Sequence, residues 1–381
     1  MGGGTRSGSV HEEPLSLMGR RRFVETLVGA GFSATMASCL SATDFEETDE
    51  GEVPIVYAHR RTDPEDPTAI EPVTKVVPSR WYDDLRSTFE IHANLDLTGV
   101  EGVLSSAVSP GTYGELGASI QIDTIDAGLR DTIADLLDGT PFDVSVVDTS
   151  AGANVDDAGP ERTHALEDGV EVPGGVACTN GESMATLAPA LYDREGERVY
   201  FVTANHLYGG DGDEMRGEGC QLLTDQGTHP LGVVERGYGE EDIALVHPTE
   251  EFTPSSRIAE ESPGEVVGSF TKLGLADLKA RGAEVRKTGA RTGLTSGPIE
   301  AVDGVSCIYG DPCKGGQLKW GEESDFVDGD SGSVSYHPDP EDPDDGLLVC
   351  GVNKARTWWP GENYVWGSAA YVLEERYGYT F

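Results

Sequence analysis

Gly329-Asp330-Ser331-Gly332-Ser333 decides the reading of this chain, because two further signals precede it in a telling order. Thr203-Ala204-Asn205-His206 closes an apolar, strand-like run, Val199-Tyr200-Phe201-Val202, and Asp242-Ile243-Ala244-Leu245-Val246 opens another. A serine hydroxyl is a poor nucleophile at neutral pH. It needs a base within hydrogen-bond reach, and the base needs a carboxylate to hold its tautomer. His206, Asp242 and Ser331, each beside a short β-like run, supply these parts in the order His, Asp, Ser. His229 and His247 are rival bases, but each precedes a proline in a turn-like context. Asp211, Asp213 and Asp225 are rival carboxylates, but only Asp242 leads an apolar strand.

Outward from these motifs, short apolar runs recur between glycine-rich turns: Ala185–Tyr192, Gly232-Val233-Val234, Val266–Phe270, Gly332–Tyr336 and Leu347–Val352. Helix signals nearly vanish over 172–381. Many short strands with turn punctuation predict a mainly β domain of sandwich or barrel type. Upstream the pattern changes. Ile120-Gln121-Ile122-Asp123 alternates like a strand, and Leu129, Ile133, Leu136 and Leu137 have helical spacing ended by Gly139. Phe142–Val147 then alternates again. Residues 73–149 are therefore expected to form a small α+β domain, either a pro-region or an accessory spacer. Residues 150–171 read as a linker, and 40–72, acidic with prolines, as a solvated tether.

The charge balance is extreme: 27 Lys+Arg against 68 Asp+Glu, net −41, with only seven lysines. An acidic disordered chain is excluded by the ordered apolar runs and by 13 Tyr, 10 Phe and 5 Trp. Excess carboxylate with few lysines is the surface expected of a halophilic protein, since at 1 M salt the screening length falls to roughly 3 Å. No basic patch for nucleic acid exists beyond Arg20-Arg21-Arg22-Phe23-Val24. That run precedes a mildly apolar stretch, Thr26–Ala37, too short to span a bilayer, so residues 1–39 read as an export signal. Its arginines followed by Phe23 resemble a twin-arginine signal. Met36-Ala37-Ser38-Cys39 resembles a lipoprotein cleavage box, which predicts a lipid on Cys39 as the sole membrane contact and a location outside the cell or on its surface. Export permits disulfides. Cys178 and Cys220 bracket His206 and could bridge, and Cys307 and Cys313 could clip a hairpin, leaving Cys350 free. Paired Cys-x-x-Cys spacing is lacking, so no metal site is expected. No cofactor is called for.

Three motifs together with Lys287–Gly297 resemble the chymotrypsin-like (trypsin-like) serine peptidases, more closely their prokaryotic members. Asn205 before the histidine, Leu207 after it and Ser333 in place of a second glycine depart from the animal pattern and remove no catalytic group. The resemblance covers 174–381 and implies a double β-barrel with the site in the cleft between barrels. It further implies Ser331 as nucleophile, His206 as general base and then acid, and Asp242 orienting His206. The N–H groups of Gly329 and Ser331 would form the oxyanion hole. Asp330 would pair with a cation freed by maturation, or serve as a turn carboxylate. Asp325 would lie at the floor of the primary pocket, and Gly351, Val352 and Asn353 would form its wall. The implied activity is endopeptidase action on a protein or peptide substrate through an acyl-enzyme. A catalytically inactive peptide-binding envelope protein and a serine esterase on the same fold are the alternative classes.

Overall fold

Two antiparallel sheets that each close on themselves organise this computed structural model. It describes residues 51–381 apart from 64–65, 96, 98–99, 115–116, 138, 149–160, 167–168, 211, 308–312, 345 and 358–362. The export signal and Cys39 lie outside the described residues.

The first sheet runs in the order Met184–Thr186, Ala177–Thr179, Gly219–Thr224, Gly227–Tyr238, Ile243–Pro248, Val199–Ala204 and Ala188–Tyr192. Its two ends, Met184–Thr186 and Ala188–Tyr192, are one chain segment interrupted at Leu187, so the sheet curls round into a barrel. Alternation decides which side chains fill it. Val172, Cys178, Leu187, Phe201, Cys220, Leu222, Leu231, Val234 and Val246 form one buried cluster.

The second barrel follows from its pairing alone. Glu284–Gly289 pairs with Gly293–Ser306, which pairs with Lys314–Trp320. That strand pairs with Val365–Ala369, which pairs with Leu347–Arg356. Leu347–Arg356 pairs with Val334–Pro338, which returns to Glu284–Gly289. Every step is antiparallel, and the ring closes without an edge. The apolar runs predicted from the sequence all fall on strands of these sheets.

The N-terminal residues depart from expectation. In place of a tether, Glu52–Asp63 and Asp66–Pro78 form an antiparallel hairpin. Ala58, His59 and Arg60 pair with Phe270, Ser269 and Gly268, and the strand Val266–Phe270 lies parallel to Leu347–Val349 of the second barrel. The acidic residues of this stretch mask an apolar run, Ile55-Val56-Tyr57-Ala58, which is buried. Burying four such side chains outweighs the preference of flanking carboxylates for water, which the exposed ends of the hairpin still satisfy.

The strand–helix–strand unit at 119–146 is present as Ser119–Thr124, Leu129–Leu137 and Phe142–Val146. It is not a separate layer. Val103–Ser109 joins it to the second barrel by pairing with Gly293–Ser306. Asp123 on its central strand is buried against Lys319 at 3.3 Å and also accepts from Ser105 Oγ. A helix that the acidic composition concealed, Ser79–Asn94, buries Trp81, Leu85, Thr88 and His92 on one face. Trp81 donates to the Pro110 carbonyl (2.9 Å) and shares one core with Ile55, Tyr57, Ile299, Leu318, Trp320 and Tyr371. Residues Asp49–Phe381 make one compact unit.

Candidate active site

The strand Val199–Ala204 ends in a short 3-10 turn, Asn205–Tyr208, that carries His206 out of the first barrel. Its neighbour Ile243–Pro248 is preceded by Asp242, whose φ of +59° is left-handed, a conformation aspartate tolerates better than most residues. That backbone turn points one carboxylate at two groups. Asp242 Oδ2 lies 2.6 Å from His206 Nδ1, and Oδ1 accepts from the His206 backbone N–H at 2.8 Å. The Asp242 carbonyl in turn accepts from Asn205 N–H at 3.0 Å. The imidazole is therefore held at its Nδ1 edge and by its own backbone. The histidine side chain is 46% exposed while that of Asp242 is 5% exposed. Burial pushes the Asp242 carboxyl up, but the hydrogen bond and charge of His206, helped by Lys314 and Lys354, hold it below the ordinary aspartate range.

Ser331 belongs to the second barrel, where its loop packs on the first. Gly332, at φ +92°, packs against the strand that leads into His206. A Cβ there would sit 2.3 Å from the Thr186 carbonyl oxygen and 2.8 Å from Ala204 N. Only glycine allows that approach, which brings the chain beside Ser331 against the end of the strand that leads into His206. Ser331 carbonyl accepts from Thr186 N–H (2.8 Å), and Gly332 N–H donates to the Asn353 carbonyl (2.8 Å). Ser331 is 6% exposed, and its Oγ donates to the Lys354 carbonyl at 3.3 Å.

The loop's backbone donors divide into two sets. Asp330, Gly332 and Ser333 N–H are spent on Val327, Asn353 and Asp330 carbonyls. Among the described residues, those of Gly329 and Ser331 have no such acceptor. Gly329 sits at φ +100°, and a Cβ there would meet Met184 and Arg291.

Asp330 turns away from the site. Its carboxylate is fully buried on Lys287 Nζ (2.8 Å) and also accepts from Thr292 Oγ1 (2.7 Å), Arg291 N–H (2.9 Å), Thr292 N–H and Val327 N–H. Burial pushes the carboxyl up, but Lys287 and these donors hold it below the ordinary range. An internal lysine thus occupies the place expected for a cation released by maturation. Lys287 was quoted within a hairpin motif, but nothing in the motif marked it as this partner.

The residues expected to line the primary pocket, Asp325 and Gly351, Val352 and Asn353, are all buried. Asp325 closes its own turn. It accepts from Glu322 N–H at 2.8 Å, is 5% exposed, and lies against Gly297 and Gly321. Burial raises its carboxyl above the usual range. Gly351, Val352 and Asn353 are buried strand positions behind Ser331, with Trp320 Nε1 donating to Asn353 Oδ1 (3.0 Å). The half-buried continuation of that strand past Ser331 is Ala355 and Arg356. Six-residue offset and motif spacing could not reveal this, because a bulge between Asn353 and Ala355 shifts the register.

Of the cysteine pairs, Cys307 and Cys313 are bridged. Cys178 and Cys220 are buried free thiols, as is Cys350. Cys178 and Cys220 lie on paired strands, and Cys178 Sγ lies 3.4 Å from Thr203 Oγ1.

No protein-family model and no curated protein matches the chain. Solved structures that resemble it include a glutamic-acid-specific serine protease, at 20% identity and a TM-score of 0.40, covering 55% of this chain and 99% of that one. Thermobifida fusca protease A matches at 17% identity and 0.40, covering 55% and 97%. A chymotrypsin of Cellulomonas bogoriensis matches at 18% and 0.39, also covering 55% and 97%.

Proposed function

We propose that this chain is a serine endopeptidase of the chymotrypsin-like kind. The observation that carries the reading is the meeting of His206 and Asp242, 2.6 Å apart on one barrel, with the Ser331-Gly332 pair of the other barrel packed on Thr186 and Ala204 through the Thr186 N–H to Ser331 carbonyl bond and the close approach of Gly332. In the proposed reaction Ser331 Oγ attacks the scissile carbonyl carbon as His206 Nε2 takes its proton. Asp242 holds the imidazole by its Nδ1–H and stabilises the imidazolium. The Gly329 and Ser331 N–H groups take the developing oxyanion, each such donor contributing roughly 3–4 kcal/mol to the transition state. His206 then protonates the leaving amine. Water, activated by the same imidazole, hydrolyses the acyl-enzyme and restores Ser331. The apo hydrogen bond from Ser331 Oγ to the Lys354 carbonyl yields to one with His206 when substrate enters, since catalytic hydrogen bonds tighten in the complex.

A fluorophosphonate probe tests the nucleophile: it should label the protein, and labelling should vanish in Ser331→Ala. Persistent labelling of that variant overturns the assignment. Hydrolysis of casein over a short-chain ester separates peptidase from esterase, and absence of both with no labelling leaves a peptide-binding protein.

We further infer export and work in concentrated salt, from the Arg20–Phe23 signal and the net charge of −41. Cys39→Ser should release active protein from membranes. A fold fully retained in dilute buffer would contradict adaptation to salt.

A further inference from the structure

The turn that carries Asp242 is held from outside its own barrel. Gly239-Glu240-Glu241-Asp242 joins Gly227–Tyr238 to Ile243–Pro248 of the first barrel. The second barrel meets this turn at two points. Ser368 Oγ, on Val365–Ala369, donates to the Glu241 carbonyl at 2.7 Å. Arg376 Nη1, on the helix Ala370–Tyr377 that continues the same strand, lies 2.6 Å from Glu240 Oε1 and 2.7 Å from Glu241 Oε1.

The two glutamates are not equivalent. The Glu240 side chain is 43% exposed, and an ion pair so open contributes little, least of all in salt. The Glu241 side chain is 1% exposed, and its Oε2 has no partner among the described residues. Removing the guanidinium would leave that buried charge without its ion-pair partner, which is the costly case. The carboxylate could relieve itself only by moving toward water, and the turn would move with it. Asp242 follows directly in the chain, at φ +59°, with its carbonyl accepting from Asn205 N–H at 3.0 Å and its Oδ1 from His206 N–H at 2.8 Å. A shift of Glu241 therefore reaches the carboxylate that holds His206 Nδ1. The helix is a firm anchor. Ala370 and Leu373 lie in the core that joins Val202 and Leu245 of the first barrel to Val349 and Val352 of the second. The same strand pair also leads to the serine: Ser368 is paired with Val352, and the carbonyl of the next residue, Asn353, accepts from Gly332 N–H at 2.8 Å.

We propose that Arg376 is a positioning residue of the His206–Asp242–Ser331 site. By pairing with Glu241 it fixes the turn that aims the Asp242 carboxylate at His206, while Ser368 holds the main chain of the same glutamate. The proposal rests on the peptidase reading, in which Asp242 serves His206.

The experiment compares rates of fluorophosphonate labelling, with circular dichroism to check that each variant is folded. Arg376→Met should slow labelling by about 10-fold or more, since small misplacements of catalytic groups are costly. Arg376→Lys should recover part of the rate, and Arg376→Met/Glu241→Gln should recover more, because no buried charge is then stranded. The deciding arm is the Asp242→Asn background, followed at high probe concentration. There Arg376→Met should have no further effect, because the residue acts through that carboxylate. If Arg376→Met slows Asp242→Asn as much as it slows wild type, the role is general packing and the proposal is overturned. Unchanged labelling of Arg376→Met overturns it as well. Should Arg376→Met not fold, Ser368→Ala, which removes the other hold without stranding a charge, carries the same comparison with the same outcomes. Wild type that is never labelled overturns the peptidase reading and the proposal with it, a result distinct from labelling that is insensitive to Arg376.

Discussion

The two barrels reach the same cleft by different physics. The first has no lysine between 172 and 258. It presents His206 and Asp242 from neighbouring strands, with the Asp242 main chain itself bonded to the histidine turn. Its buried polar side chains include Thr186, Thr203 and Asn205. The second barrel holds charge inside: Lys287 with Asp330 and Lys319 with Asp123, both pairs buried, and Lys354 without a partner. The lesson is that the His206 turn is oriented by short-range backbone geometry, whereas the Ser331 loop is oriented by a long-range ion pair, Lys287 with Asp330. A buried ion pair gives little net stability but penalises any arrangement that separates it, and so selects one loop conformation.

That contrast can be broken at the cleft first. Ser331→Ala and His206→Ala should each lower kcat by about 10⁴-fold or more, and Asp242→Asn by about 10⁴-fold through the wrong tautomer, with folding intact. Retention of near-full activity by any of them would break the site on the first-barrel side. Next comes the second barrel's charge. Lys287→Met strands a buried carboxylate and should cost about 3–5 kcal/mol in urea unfolding, while Lys287→Met/Asp330→Asn should recover much of that. If the single and double variants unfold alike, the loop is not ordered by this pair.

The same pair gives a pH dependence. The folded-state Asp330 carboxyl lies below its ordinary value, so the stability it confers is complete above the unfolded value near 3.8 and is lost as pH falls through the lower folded value. Wild type should therefore lose stability on acidification below about pH 4 more steeply than Lys287→Met. Parallel acid unfolding curves would remove the distinction between barrels.

The smallest effect sharpens the first-barrel side. With Cys178 and Cys220 as free thiols, Cys178→Ala should lower the count of thiols titrated in denaturant without reductant by one, and change stability little. A rise of one would mean that Cys220 had been released from a bridge.

What the residues alone made legible was whatever depends on local pattern. Alternation and turn punctuation located the strands of both barrels, since burial of one face imposes a period of two wherever the strand sits. The His206, Asp242 and Ser331 motifs each carry their own turn, and the structure draws the first two into hydrogen-bond contact and packs Gly332, next to Ser331, against Ala204. Composition misled at 40–72, where carboxylates at the ends of a strand hid the buried Ile55–Ala58. Tertiary structure alone decided which charges meet. Lys287 and Asp330 are separated by 43 residues, and Lys319 and Asp123 by 196. It also turned Asp325 into a buried cap. Such partnerships leave no trace in the sequence, because an ion pair or a buried amine depends on distance and dielectric across strands, and the linear order of residues encodes neither.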